Sequence, residues 1–323
     1  MFDALIAKLK AEPKTIVFTE GPDARILEAT SKLLAEGIMK VVLVGNVAEV
    51  EAAAKAGGFN IEGAEIIDPE TYAEMDAMVE KMVELRKGKM TPEQCKANLL
   101  KGNYFGTMLV KMGKAECLLG GATYSTADTV RPALQLIKTK PGNSIVSSCF
   151  IMVRDNADGT QEKLARGDCA INIHPTEDNL VEIAQETAKC AQTFGIDPKV
   201  AFLSFSTKGS AKDDEVTKVQ NAVAKAKEVM DVPVDGEMQF DAAVAPEVGQ
   251  LKFPGSPVAG QANTFIFPDV TAGNIGYKIA ARLGGFAAYG PILLDLNAPI
   301  NDLSRGCNAD EVYKMAMSTA GLA

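Results

Sequence analysis

Strand-like and helix-like segments alternate along almost the whole of this 323-residue chain. The β-branched run Thr15 to Thr19 is followed by an amphipathic segment from about Arg25 to Glu36, and then by the apolar run Val41 to Val44. A strand–helix–strand unit of this length closes as two parallel strands joined by a right-handed crossover. Because the alternation continues to a last helix at 309–320, we predict an α/β fold.

The length of the chain and a Pro-Gly interruption near its middle indicate two domains. A chain of this size suits two hydrophobic cores of about 150 residues each. Pro141 and Gly142 interrupt the pattern, which favours a boundary near residue 142, and long strand-like runs follow at 144–153 and 163–172. The remaining predicted helices lie at 46–56, 71–86, 92–101, 126–138, 177–193, 214–230 and 273–283, and the remaining strands at 117–119, 199–206, 262–267 and 287–294.

The composition of the chain indicates which binding partners and which cellular compartment to expect. The formal net charge is −9, which disfavours nucleic acid, whose phosphates need basic surfaces. The sequence contains no run of eighteen consecutive apolar residues, so no membrane span is expected. The segment from Met1 to Lys14 resembles an amphipathic helix more than a secretory signal. We therefore expect a cytoplasmic protein.

The cysteine and histidine residues limit which catalytic and metal-binding groups the chain can use. The six cysteines are at least 20 positions apart, which is typical of free thiols in a reducing compartment and not of a zinc or redox motif. His174 is the only histidine, so a two-histidine metal site is excluded and a Ser-His-Asp triad would have to use it. We expect no metal and no covalent cofactor; carboxylates, arginines, hydroxyls and backbone dipoles remain for catalysis.

Four loops collect small, polar and cationic residues at predicted strand ends, where open α/β sheets bind ligands: 120–132, 203–211, 252–263 and 301–311. In the first, Ser125 and Thr126 begin a helix, where backbone N–H groups favour anions, and Arg131 follows one turn later. A capped helix with a solvated arginine explains that loop equally well. The second favours a plain turn over an anion nest, and the third, which ends at Asn263, indicates a loop with a defined path.

The fourth loop combines Ser304 and Arg305 with two carboxylates, Asp310 and Glu311. An arginine beside a serine is suited to an oxyanion, with a carboxylate base nearby. The same spacing also fits a capping box, in which Asn308 is the N-cap and Glu311 the N3 partner. Spacing alone favours the cap.

Taken together, five separated motifs resemble the phosphate acetyltransferase family over essentially the whole chain. They lie, in the family's order, at 84–87, 125–133, 203–211, 253–263 and 301–306. The resemblance implies two three-layer α/β/α domains of isocitrate-dehydrogenase-like topology with the site in a cleft between them. It also implies a discontinuous first domain, 1–143 plus 296–323, a second domain, 144–295, and a homodimer.

The resemblance further implies acetyl transfer between acetyl-CoA and inorganic phosphate through a ternary complex, with CoA as a substrate and not a cofactor. Ser304 and Arg305 match the family's catalytic pair. Other matches imply substrate binding: Arg86 and Arg131 on the CoA phosphates, and Tyr289 lining the cleft, with Ser125, Thr126 and Asn263 as further candidates from the motifs.

Two positions depart from the family pattern. The family's general base is an aspartate seven residues after the motif serine; here that position is Glu311, with Asp310 just before it, and position favours Glu311. Asp295 adds a carboxylate after the last strand, where it is expected either to repel phosphate or to face solvent. Two alternatives remain, a phosphate butyryl- or propionyltransferase and a non-catalytic acyl-CoA-sensing module of the kind fused to malic enzymes; the intact Ser304–Arg305 pair argues against the sensor.

Overall fold

The computed structural model describes residues 2–323 and confirms the α/β class, with helices and strands alternating along the chain. The strands are β1 (Thr15–Phe18), β2 (Lys40–Val44), β3 (Glu65–Ile67), β4 (Cys117–Gly120), β5 (Ser147–Asp155), β6 (Gln161–Gly167), β7 (Val200–Leu203), β8 (Val234–Met238), β9 (Thr264–Ile266), β10 (Ala287–Leu294) and β11 (Ile300–Asp302). The helices are α1 (Phe2–Ala11), α2 (Ala24–Ala35), α3 (Val47–Gly57), α4 (Met75–Arg86), α5 (Pro92–Leu99), α6 (Gly102–Lys111), α7 (Thr126–Pro132) continued by a π-helical turn (Ala133–Ile137), α8 (Glu177–Thr193), α9 (Asp214–Val229), α10 (Phe240–Val244), α11 (Pro246–Lys252), α12 (Val270–Leu283) and α13 (Ala309–Gly321).

The chain forms two compact units, Gly142–Asp295 and a discontinuous unit of Phe2–Pro141 with Leu296–Ala323. The discontinuous unit contains a parallel sheet in the order β11-β4-β1-β2-β3. The chain moves outward from β1 to β3 and then returns to β4 on the other side of β1. Right-handed crossovers place the intervening helices on opposite faces of the sheet, so the strand order reverses between β1 and β4.

The C-terminal helix completes the core of this unit. α13 packs against α2 and β4, and buries Val312, Ala316 and Ala320. The interior of β1, Ile16 to Phe18, is fully buried, as expected for a central parallel strand. The carboxyl ends of β1, β4 and β11 are thus held side by side on a rigid sheet.

The other unit contains a mixed sheet in the order β10-β5-β6-β9-β7-β8. β10, β5 and β6 pair antiparallel, and β6, β9, β7 and β8 pair parallel. Helices α8 and α9 cover one cluster of buried side chains, which includes Ile183, Phe202 and Val223. Phe150 and Phe265 belong to a second cluster against α12.

Capping residues in the sequence correctly predicted where two helices begin. Thr91 and Gln94 form a capping box at the start of α5, with Pro92 at the first helical position, and Asn308 and Glu311 form another at the start of α13. The sequences Thr91-Pro92-Glu93-Gln94 and Asn308 to Glu311 each have the spacing of a capping box, and both predictions are confirmed. Other elements are missing from the prediction: α6, α10 and α11, and the short strands β3, β8 and β11.

The predicted strand 163–172 is wrong in its second half. β6 ends at Gly167, and the buried Asp168 carboxylate accepts the backbone N–H groups of Ala170, Ile171 and Asn172 at 3.0, 3.2 and 2.9 Å. A carboxylate that bonds three successive amides imposes a turn on the segment, because those amides are then lost to a sheet ladder.

The expectation that Asp295 faces solvent is wrong, whereas repulsion of phosphate stays a prediction. It is 1% exposed, so it does not face solvent, and its carboxylate is bound inside its own unit. Ser147 donates its N–H (3.1 Å) and its hydroxyl (2.5 Å), and the side-chain amide of Asn143 donates to the other oxygen. The carboxylate therefore ties together the two ends of the unit 142–295.

None of the helices within residues 2–323 is long and apolar enough to cross a membrane. All six cysteines lie in this described part, and each is a buried free thiol.

Candidate active site

Three loops meet where the strand order of the discontinuous unit reverses, at the carboxyl ends of β1, β4 and β11. They are the segments 19–23, 121–125 and 303–308. In doubly wound sheets, such a reversal opens a crevice in which ligands bind. The motif serine and arginine, Ser304 and Arg305, both lie exposed in the third loop.

A carboxylate occupies the backbone amides that follow β4. Glu20 accepts the N–H groups of Gly121, Ala122 and Thr123 at 3.0, 3.1 and 2.5 Å, and the Thr123 hydroxyl at 2.6 Å. Gly121 has φ +99°, and a Cβ there would lie 2.2 Å from Asp302 Oδ1, so only glycine fits. Because Glu20 accepts these backbone N–H groups, they are not available to bind another anion.

Asp302 sits beneath the site at the end of β11. It is 3% exposed and accepts the hydroxyls of Thr126 and Thr129, both at 2.5 Å. Burial raises the pKa of Asp302, while the two threonine hydroxyls and the charge of Arg305 oppose that rise. Thr126 thus anchors α7 to β11, and Ser125 donates its hydroxyl to Asp128 at 2.7 Å.

Arg25 joins two of the three loops. Its Nε and Nη2 donate to the two oxygens of Asp23 at 3.0 and 2.8 Å. Nη2 also donates to the carbonyl of Ala122 (2.9 Å), and Nη1 donates to the carbonyls of Arg305 (2.9 Å) and Cys307 (3.2 Å). The segment after β4 and the Ser304–Cys307 turn are therefore held by one guanidinium.

The Ser304–Cys307 turn is compact. The N–H of Cys307 donates to the carbonyl of Ser304 at 2.9 Å, and the N–H of Gly306 donates to the Ser304 hydroxyl oxygen at 3.2 Å. Cys307 is 7% exposed, and burial raises the pKa of its thiol, which Arg25 partly opposes. The turn exposes the side chains of Ser304 and Arg305 and hides that of Cys307.

Both candidate bases have partners at the start of α13. Glu311 Oε2 accepts the Asn308 N–H at 3.0 Å, and the Asn308 side-chain oxygen accepts the Glu311 N–H at 2.9 Å. Asp310 pairs with Lys314 one turn later at 2.6 Å. The Glu311 capping bond uses one carboxylate oxygen and leaves Oε1 for another proton donor.

Arg86 and Arg131, which are 45 positions apart in the sequence, both act electrostatically on Tyr104. Arg86 ends α4 and is half-buried, and its Nε has no hydrogen-bond partner within residues 2–323. Arg131 is exposed on α7 and lies 3.6 Å from Asp128. Burial raises the pKa of Tyr104, whereas the charges of Arg131 and Arg86 both lower it. Tyr104 in turn donates to Gln135 at 3.0 Å.

The two remaining candidates lie in the other unit. Tyr289 is half-buried on β10, opposite Ile151 of β5. Asn263 precedes β9, and its amide accepts the Lys199 N–H at 2.8 Å and donates to the Asp197 carbonyl at 2.8 Å. This places Asn263 at the amino end of its strand, engaged with neighbouring loops. Substrate contacts of Tyr289 and Asn263 stay predictions.

The loop at 203–211 is a turn organised by protein groups, as the sequence favours. Glu237 accepts the Gly209 N–H and the Ser206 hydroxyl, both at 2.8 Å, and Ser210 accepts the Thr207 N–H at 3.0 Å. An anion nest would need these amides free.

The sequence analysis missed Glu20, Asp23, Arg25, Tyr104 and Asp302. Glu20 carries the one signal available, a charged residue at the end of an apolar run in an α/β pattern, whereas Asp302 follows Asn301 in a strand too short to show a pattern. Arg25 lies in a predicted helix and Tyr104 in α6, which the sequence did not predict. Neither residue has a local sequence pattern that distinguishes it as functional.

Comparison with known proteins identifies the family. A protein-family model described as phosphate acetyl/butaryl transferase matches residues 1–320. The chain is 52% identical over 324 residues to the phosphate acetyltransferase of Bacillus subtilis (strain 168), with 100% of this chain and 99% of that protein covered. It is 49% identical over 329 residues to a Staphylococcus epidermidis phosphate acetyltransferase, with 100% and 98% covered.

Solved structures agree with the sequence relatives. A phosphotransacetylase from Streptococcus pyogenes superposes with a TM-score of 0.96 at 51% identity, and the EutD phosphotransacetylase from Staphylococcus aureus with 0.92 at 48%; each covers 99% of this chain and 97% of that one. A branched-chain phosphotransacylase from Enterococcus faecalis V583, at 19% identity and a TM-score of 0.68, shares the fold. This chain belongs to the phosphate acetyltransferase family of acyltransferases.

Proposed function

We propose that this protein catalyses the reversible transfer of an acetyl group between CoA and inorganic phosphate, through a ternary complex. The observation that carries the proposal is the exposed Ser304–Arg305 pair at the strand-order reversal, next to the carboxylates that begin α13. The full-length likeness to phosphate acetyltransferases supports it.

In the direction of acetyl-CoA synthesis, the first step is removal of the CoA thiol proton. A thiol of this kind is mostly protonated at neutral pH, with a pKa of about 8.5. A carboxylate at the start of α13 takes the proton, and the thiolate sulfur attacks the carbonyl carbon of acetyl phosphate. The S–C bond forms as the carbonyl electron pair moves to oxygen; the oxyanion then collapses and the C–O bond to phosphate breaks.

Arg305 is the group best suited to the charge that develops. Its guanidinium is exposed beside the turn, so it is free to contact the carbonyl oxygen and the departing phosphate together. Ser304 orients the thiol or the carbonyl from the adjacent position. Arg86 and Arg131 bind the remote phosphates of CoA, and that binding energy positions the sulfur.

We assign the base to Glu311 and not to Asp310. Glu311 occupies the family's position, and its capping bond leaves Oε1 available. Asp310 projects about 100° away around the helix and is paired with Lys314. No acetyl-enzyme on Cys307 is expected, because that thiol is buried and its pKa is raised.

We propose a homodimer in the cytoplasm. α12 carries an exposed apolar stripe, Ile275, Ile279 and Leu283, at helical spacing, and such a stripe is self-complementary across a two-fold axis. Six free thiols suit a reducing compartment.

The test is an assay of purified protein with acetyl phosphate and CoA, in which thioester absorbance is followed. We expect turnover, a loss of kcat of roughly a hundredfold or more in Arg305→Ala, and mainly a higher KM for CoA in Arg86→Ala. Faster turnover of butyryl or propionyl phosphate would assign a different acyl group. Binding of acetyl-CoA without any turnover would indicate a sensor.

A further inference from the structure

We infer that Arg25 is a positioning residue that fixes the backbone of the Ser304–Cys307 turn. The inference rests on the function proposed above, because it explains how Ser304 and Arg305 are held in place for acyl transfer. It concerns a side chain that itself does not contact the substrates.

The hydrogen bonds that Arg25 donates support this role. A guanidinium has five N–H donors, and here five oxygen acceptors take them: the two carboxylate oxygens of Asp23 and the carbonyls of Ala122, Arg305 and Cys307. No donor is left for a phosphate or an acetyl oxygen. The positive charge of Arg25 is balanced by the Asp23 carboxylate, and the hydrogen bond to Asp23 raises the pKa of Arg25 further above its usual range.

Arg25 is itself held rigidly. Asp23 is the N-cap of α2 and accepts the backbone N–H of Arg25 at 2.9 Å, in addition to the guanidinium. The fork is thereby fixed to the end of a helix whose Ile26 and Leu27 are fully buried. A planar, doubly bound guanidinium on a packed helix is a fixed point of attachment, which a flexible ammonium does not reproduce.

The turn has few other ties of this kind. Ser304, Arg305 and Gly306 are exposed, and within residues 2–323 their backbone hydrogen bonds are internal to the turn apart from the bond to Arg25. Misplacement of a catalytic group by about 1 Å lowers a rate by roughly a hundredfold. Loss of the fork should therefore lower turnover more than substrate affinity.

Cys307 provides a reporter that is independent of activity. Its Sγ lies 3.7 Å from Arg25 Nη1, and it is 7% exposed. The other five cysteines are at most 1% exposed, so they contribute little background to a thiol-reagent reaction under native conditions. Release of the turn should expose Cys307 selectively.

The experiment compares Arg25→Lys and Arg25→Ala with wild type and with Arg154→Lys. Arg154 is a matched control, since it also binds a carboxylate, Glu162 at 2.5 Å, and a carbonyl, Gly284 at 3.1 Å, on a hairpin of the other unit. Steady-state kinetics give kcat and both KM values. Reaction with Ellman's reagent over a pH series separates the plateau rate, which reflects access to the thiol, from its apparent pKa.

We expect both Arg25 variants to lower kcat by roughly 10- to 100-fold, with KM values within about threefold of wild type. We expect the plateau rate of Cys307 modification to rise about tenfold or more in the Arg25 variants. Adding Cys307→Ala to each Arg25 variant should remove this faster modification. Arg154→Lys should change neither quantity. If Arg25→Ala does not fold, Arg25→Lys retains the charge and much of the side-chain volume, and carries the test.

Two results would overturn the inference. One is a fall in kcat, or a large rise in KM, with no change in Cys307 reactivity, which would mean that Arg25 acts on the substrates directly. The other is no change in either readout. If wild type itself shows no acetyl transfer, the proposed function fails, and the thiol measurement alone still decides whether Arg25 holds the turn.

Discussion

Asp295 shows how strongly the surroundings of a single residue control its behaviour. The same carboxylate that the sequence places near a phosphate site is enclosed by Ser147 and Asn143 at the point where the chain leaves its unit. Its φ of +72° is left-handed, a conformation that Asp and Asn tolerate better than other non-glycine residues. Burial raises its pKa to about 6, the charges of Glu186 and Glu182 act in the same direction, and the bonds from Ser147 and Asn143 oppose it.

The raised pKa predicts a pH-dependent stability. Between about pH 4 and pH 6 the native state holds a proton that the unfolded chain has released, so the free energy of unfolding falls as pH rises through this window. Asp295→Asn is neutral at every pH and accepts the left-handed backbone. We expect it to be as stable as wild type below about pH 4, and more stable above about pH 6, by up to about 3 kcal/mol.

Urea unfolding across this pH range measures the difference. The control is Asp231→Asn, at an exposed position of the same unit, which should leave the wild-type pH profile unchanged. Parallel profiles for wild type and Asp295→Asn would contradict the prediction.

Among the elements, α13 has two functions at its first turn. Its capping box with Asn308 satisfies backbone donors that the helix start would otherwise leave unpaired. The same turn carries the proposed base. The two roles are compatible because a carboxylate has two oxygens and the cap uses one.

This compatibility predicts separable effects of two substitutions. Glu311→Gln keeps the cap, since Gln also accepts the Asn308 N–H, and removes the base. We expect a nearly unchanged melting temperature and a fall in kcat of roughly 10²- to 10⁴-fold. Asp310→Asn removes only an exposed ion pair, which contributes little, and should retain most activity.

Lys314→Gln is the matched control for the Asp310 ion pair and should resemble Asp310→Asn. The reverse pattern, with Asp310→Asn inactive and Glu311→Gln close to wild type, would assign the base to Asp310 and leave Glu311 as a helix cap only.

For the whole molecule, the exposed apolar stripe on α12 is the observation behind the proposed dimer. Ile275 and Ile279 are each 54% exposed and Leu283 is 86% exposed. We predict that Ile279→Glu, which places a charge at the middle of the stripe, converts a dimer into a monomer without loss of fold. Light scattering gives the mass and circular dichroism the fold.

Val229→Glu is the control, because Val229 is equally exposed (54%) but lies at the end of α9, outside the stripe. It should leave the mass unchanged. An unchanged mass in Ile279→Glu, or a monomeric wild type, would exclude a dimer through α12.

Local signals in the sequence were sufficient for the fold class, most helix positions, two capping boxes and the turn at 203–211. Each of these depends on residues within a few positions of one another, so periodicity and capping chemistry report them directly. The motif at 301–306 also predicted the position of the proposed site, although the three-residue strand β11 within it is too short to show a pattern.

Only the tertiary structure decided how the site is held. Glu20 reaches amides about a hundred positions along the chain, Arg25 reaches carbonyls 280 positions away, and Asp302 binds hydroxyls 173 and 176 positions back. It also decided that β6 ends at Gly167 and that Asp295 is buried. Such contacts exist because the sheet order brings distant strand ends together and because buried polar groups must find partners, and no local pattern records either condition.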